Sequence, residues 1–134
     1  MIWVALTIVL AIHEEQIAEH RGASGVRDHG LLNPALDTPK NIAAQESDGD
    51  FDLARLAAAY GHRIAKNHPF MDGNKRTALV VTETFLNLNG LDLTADDATC
   101  VAVMHAVADG TMKEEKFVCW IRENIELIKP PLRA

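Results

Sequence analysis

The chain has 134 residues, of which 48% are hydrophobic and 24% charged, with a formal net charge of −6. That length allows one domain, 1–134, with a buried core that needs no crosslinks. The acidic balance argues against direct nucleic-acid binding and against an anionic membrane surface.

The opening run Met1 to Ile12 is apolar but too short to span a bilayer, and it lacks the basic leader of a signal peptide. A first helix is expected after Thr7, whose hydroxyl would cap it, running to about Arg21 with Ile8, Ala11, Ile12 and Gln16 on one face. His13 and His20 on that helix read as solvent-facing. Gly22 to Gly25 break the pattern, and a short helix through Leu31, Leu32, Ala35 and Leu36 follows, with Pro39 helping to end it. From Asp37 to Asp50 the chain is polar and poorly periodic, so a loop is expected there, long enough to be functional.

A third helix spans about Phe51 to Asn67, and Pro69 biases His68 away from helical geometry, placing it at or just past the helix end. A fourth helix begins near Asn74, presents Ala78, Val81, Phe85 and Leu88 to a core, and closes at Gly90. Thr94 caps a fifth helix, with Asp96 and Asp97 favourable to its dipole and Gly110 closing it. Glu114 and Glu115 open a sixth, through Phe117, Trp120 and Ile121. The expected fold class is all-α, a compact helical bundle whose only candidate β element lies in 37–50. Cys100 and Cys119 have no framework or metal-ligand spacing and read as reduced core thiols of a cytoplasmic protein.

Chemistry concentrates in His68-Pro69-Phe70-Met71-Asp72-Gly73-Asn74-Lys75-Arg76-Thr77, where a loop enters a helix. His68 could act as a general base, although a single histidine at a helix end more often caps or packs. Asp72 could hold Mg²⁺, since that ion takes few protein ligands alongside phosphates and water; Asp-Gly is also an ordinary turn. Lys75 and Arg76 decide between these readings. Cations in a first helical turn oppose the dipole by about 0.3–1 kcal/mol each, a sign that a bound polyanion reverses. The segment 51–80 agrees, with Arg55, Arg63, Lys66, Lys75 and Arg76 against only Asp52 and Asp72, although charge alone fits a solvated helix face as well.

The run His68-Pro-Phe-x-Asp-Gly-Asn-Lys-Arg76 resembles the Fic signature H-P-F-x-[DE]-G-N-G-R, and more closely its death-on-curing (Doc) toxin branch, in which a lysine replaces the second glycine. Gly25-Val-Arg-Asp-His-Gly-Leu-Leu32, Leu10-Ala-Ile-His-Glu14 and Leu88-Asn-Gly90 extend the resemblance over roughly residues 6–125. It implies a helical Fic fold with a small β-hairpin or extended flap beside the motif loop and helix start (68–79), for which 37–50 is the candidate. It also implies ATP and Mg²⁺ as cofactors, with His68, Asp72 and Arg76 catalytic, Asp72 on the metal, and Gly73, Asn74, Lys75 and Arg76 cradling phosphates.

Two departures from the wider Fic pattern matter. Lys75 stands in place of glycine, which in the Doc branch accompanies a reversed nucleotide and kinase activity on elongation factor Tu. Leu79 stands where many adenylyl-transferring members carry a second arginine. The self-inhibitory pattern [ST]-x-x-x-E-[GN] is absent, since Thr111-Met-Lys-Glu-Glu115 continues with Lys116. A separate antitoxin, folding a disordered tail into the motif groove, is therefore the expected restraint. The expected function is a Doc-type toxin of a type II toxin–antitoxin system that phosphorylates a Thr or Ser hydroxyl of elongation factor Tu. An AMP-transferase and a non-catalytic phosphate- or partner-binding module are the alternatives.

Overall fold

The computed structural model describes residues 1–46 and 51–129. The order is α1 (Leu6–His20), α2 (His29–Ala44), α3 (Leu53–Asn67), α4 (Asn74–Leu88), β1 (Leu91–Leu93), α5 (Asp97–Asp109), α6 (Glu114–Glu123) and β2 (Ile125–Leu127). The all-α expectation holds. Among the described residues, no helix is long and apolar enough to cross a membrane.

α3 is the centre, packed against α2, α4, α5 and α6. Its sequence explains this position: Ala54, Ala57, Ala58, Ala59, Gly61 and Ala65 are all buried, and their small side chains let neighbouring helices approach closely. Leu56, Tyr60 and Ile64 fill what the alanines leave. Tyr60 meets Phe85 of α4 at 5.2 Å between ring centroids, and Trp3 also stacks on Phe85 at 6.0 Å. The Tyr60 hydroxyl accepts from the Val4 N–H, tying the N-terminal segment to this cluster. Arg63 donates to both carboxylate oxygens of Glu114 and so links α3 to α6.

Several expectations need correction. α1 starts at Leu6 after Ala5, with no side-chain cap, and its buried face is Val9, Ile12 and His13 rather than the Ile8 face. Pro39 does not end α2, which continues to Ala44. Leu32, Ala35, Leu36, Pro39 and Ala43 form one buried stripe on that helix. Burial of Pro39 and of the turn beyond it offsets the lost hydrogen bond, a cost of about 3 kcal/mol or more in a solvated helix. The candidate flap is therefore wrong over 37–44, which is helical, while 47–50 lies outside the described residues. The two-stranded sheet forms elsewhere, with Leu91, Asp92 and Leu93 antiparallel to Leu127, Glu126 and Ile125. Cys100 is buried as expected, but Cys119 is exposed on α6. Thr94 does not cap α5; Asp96 does, accepting from the Thr99 N–H at 2.7 Å.

Glu83, half-buried on α4, titrates above the usual carboxylate range, first because burial disfavours its charge and then because Asp97 and Asp92 are close. A carboxyl raised on folding stabilises the fold at acid pH and loses that contribution as pH rises through its folded value. Glu83→Gln should therefore leave stability near pH 4 almost unchanged and raise it increasingly toward pH 7. Denaturant midpoints across that range test this, and a pH-independent difference would rule it out.

Candidate active site

The motif loop begins where α3 stops. His68 adopts left-handed geometry (φ 51°, ψ 59°) as the C-cap of α3. Pro69 disfavours right-handed helix at His68, and a left-handed residue is a common way to end a helix. The side chain is thereby turned out of the α3 surface and exposed. Arg27, in the connection between α1 and α2, donates Nε to the His68 carbonyl at 2.7 Å and Nη2 to the Asn67 carbonyl at 3.0 Å.

The connection between α1 and α2 runs beside the motif loop. The Arg27 and Asp28 N–H groups donate to the Pro69 carbonyl, and the Met71 N–H donates to the Gly25 carbonyl. This makes a single antiparallel bridge between Val26 and Phe70. Phe70 is fully buried and stacked on His13 at 3.9 Å between centroids and 9° between planes. Asn74 closes the loop: its Oδ1 accepts from the Phe70 N–H and its Nδ2 donates to the Phe70 carbonyl. Both ends of the Asn74 amide thus hold the Phe70 backbone, while one Nδ2 hydrogen and the Asn74 backbone N–H have no partner among the described residues.

Asp72 sits at the tip of the turn, exposed, with Oδ2 accepting from the Ala23 N–H at 2.9 Å. Gly22 makes that approach possible, because a Cβ there would lie 3.1 Å from the Asp72 Cβ at a backbone φ of +137°. Gly73 follows at φ 73° as the N-cap of α4 and supplies no side-chain acceptor. The first helix-closing bond runs from the Thr77 N–H to the Gly73 carbonyl. The preceding N–H groups have no intrahelical acceptor, and the first turn holds no carboxylate. Lys75 and Arg76 are exposed there, and Arg76 Nη1 donates to His20 Nε2 at 3.3 Å.

These groups line one cleft of about 630 Å³. His68, Asp72, Gly73, Asn74, Lys75 and Arg76 all border it, so the structure brings the whole sequence-derived set together. Arg21, Arg27 and His20 border it as well, and sequence reasoning missed them. The block Gly25-Val-Arg-Asp carried the signal for Arg27, but nothing local said which carbonyls it would reach. An adjoining cavity of about 280 Å³, lined by Leu79, Val80, Val101 and Met104, opens beyond Lys75 and Arg76. The other cations of 51–80 go elsewhere: Arg63 pairs with Glu114, and Lys66 lies beside Gly110.

The cleft suits a phosphate-bearing ligand. Three cations, Arg21, Lys75 and Arg76, and a helix N-terminus border the cleft with one carboxylate, while the Arg27 guanidinium is engaged by the Asn67 and His68 carbonyls. Among the described residues, no group of three or more His, Cys, Asp or Glu side chains could hold a metal ion. Asp72 by itself fits Mg²⁺ held partly by phosphate oxygens, and its second oxygen has no hydrogen bond among the described residues.

A family model described as the Fic/DOC family matches residues 3–86, and the chain belongs to that family. Within it, the chain is 32% identical over 110 residues to "Protein kinase doc" of Escherichia phage P1, covering 75% of this chain and 86% of that protein. It is 43% identical over 75 residues to "Toxin Doc" of Mycolicibacterium smegmatis, covering 56% of this chain and 57% of that protein.

Proposed function

We propose that this chain is a Doc-type toxin of a type II toxin–antitoxin system, acting as an ATP- and Mg²⁺-dependent protein kinase on a Thr or Ser hydroxyl of elongation factor Tu. One observation carries the reading. An exposed imidazole, the carboxylate of Asp72, and a helix N-terminus that bears Lys75 and Arg76 with no carboxylate in its first turn all border one cleft. Lys75 in place of glycine, Leu79 in place of a second arginine and the likeness to a protein named as a kinase favour phosphoryl over adenylyl transfer.

His68 accepts the proton of the target hydroxyl as that oxygen forms its bond to the γ-phosphorus, and the bond to the β,γ-bridging oxygen breaks to leave ADP. Arg76 forks onto phosphate oxygens, Lys75 adds a point charge, and the backbone N–H groups at the start of α4 donate to the same anion. Bound Mg²⁺ supplies charge neutralisation on the phosphates, and Asp72 is the residue that would hold it. The Ala23 N–H keeps one Asp72 oxygen in place, leaving the other for the metal. A cognate antitoxin would restrain the toxin by folding a disordered tail into this groove.

The test incubates the protein, Mg²⁺ and elongation factor Tu with ATP labelled at the α or the γ phosphate. Transfer from the γ position alone is expected. Transfer from the α position would make the protein an AMP-transferase, and no transfer would favour a binding module or another target. Asp72→Asn should lower transfer by more than about 10–100-fold, the loss caused by removing even an outer partner of a bound metal. Raising Mg²⁺ should restore part of it; a variant with wild-type rate and Mg²⁺ dependence would remove Asp72 from the metal site.

A further inference from the structure

The two residues given chemistry in the loop share a feature that the motif does not contain. Each has its backbone carbonyl held by a side chain from another part of the chain. Arg27 holds the His68 carbonyl at 2.7 Å and the Asn67 carbonyl at 3.0 Å. His13 Nε2 lies 2.8 Å from the Asp72 carbonyl. We propose that Arg27 and His13 are positioning residues that set the directions of His68 and Asp72 for transfer, a role that rests on the kinase reading above.

The chemistry of each contact is specific. A carbonyl only accepts, so His13 carries its proton on Nε2 and donates it. The ring is 1% exposed and stacked flat on Phe70, which fixes the direction of that N–H. Phe70 is in turn held through both its backbone groups by Asn74. The Arg27 guanidinium spans two successive carbonyls at the end of α3, where a cation also suits the helix dipole. A lysine ammonium cannot reproduce that fork.

A merely structural role fits Arg27 poorly. It is exposed, and water could satisfy the same two carbonyls without it. What water cannot do is hold His68 in a left-handed conformation aimed at one point. Small displacements at a reacting centre can cost about a hundredfold in rate.

Arg27→Ala should therefore lower kcat by about 10–100-fold while leaving the KM for ATP and the melting temperature close to wild type. A direct phosphate contact would instead raise KM. Arg27→Lys should stay near the alanine variant; full recovery by lysine would show that charge, not the fork, matters, and would overturn the Arg27 half of the proposal. His13→Phe keeps the stack and removes the donor, whereas His13→Gln restores a donor, so kcat should fall in the first and partly recover in the second.

Two readouts need no nucleotide or target. The imidazole Cε1–H signal of His68 in the nuclear magnetic resonance spectrum, assigned by its loss in His68→Asn, should move or broaden in Arg27→Ala. Exchange of the Ala23 amide, which donates to the Asp72 carboxylate, should quicken by about tenfold in His13→Phe, the scale of one modest hydrogen bond. An unmoved His68 signal and unchanged amide exchange would overturn the proposal even with a fully active kinase. Failure of wild-type protein to modify elongation factor Tu would overturn the kinase reading, while these two signals would still decide the positioning.

Discussion

His68→Ala and His68→Asn should both abolish growth arrest and lower γ-phosphoryl transfer by about 10²–10⁴-fold, the range for losing a general base. The pair is chosen for backbone reasons. His68 is left-handed at φ 51°, and asparagine tolerates that region better than alanine. If the loss came from a relaxed backbone, asparagine would retain much of the activity; if it comes from proton transfer, both variants fail alike. Both should bind nucleotide, since the phosphate contacts proposed above are assigned to α4 rather than to His68. Melting temperatures should change little, because the imidazole is exposed and makes no side-chain hydrogen bond among the described residues. Unchanged toxicity in both variants would remove His68 from the reaction.

Gly61→Ala should destabilise the fold by about 1–3 kcal/mol, the cost of overpacking a close-packed core. A Cβ at Gly61 would lie 2.3 Å from Thr82 Oγ1 and 3.1 Å from Phe117 Cε2. Thr82 cannot simply turn aside. Its hydroxyl donates to the Ala78 carbonyl at 2.7 Å, and a β-branched side chain in a helix has few rotamers to choose from. Thr82→Ala should therefore relieve part of the damage, and a double-mutant cycle in urea should show coupling between the two positions. Additive effects would mean that Phe117, not Thr82, limits the space. The expectation matters for the site because α3 ends at His68 and α4 begins at Asn74. Pushing these helices apart would open the loop between them, so Gly61→Ala should lose activity as well as stability.

Much of the site was legible because its signals are local. The order of His68, Asp72, Gly73, Asn74, Lys75 and Arg76 carried its own chemistry, and cations in a first helical turn oppose the dipole whatever surrounds them. All six residues border one cleft. Asn74, expected to cradle phosphate, also pairs its amide with both backbone groups of Phe70, a second role that spacing alone did not disclose. His13 read as solvent-facing together with His20 on one helix, but its ring is buried and stacked on Phe70 of the motif loop.

The sequence by itself determined the helical class, the approximate bounds of α3 to α6 and the residues of the motif, because periodicity, caps and Gly or Pro breaks act within a few positions. Only the tertiary structure decided that α2 continues past Pro39, since burial against α3 supplies what local propensity withholds. It alone paired Leu91–Leu93 with Ile125–Leu127, strands too short to be read singly and joined through two intervening helices. It alone set Arg27 on His68, 41 positions away, and His13 on Asp72, 59 positions away. Such contacts depend on how helices pack around α3, and packing is a property of the assembled core that no short stretch of chain contains.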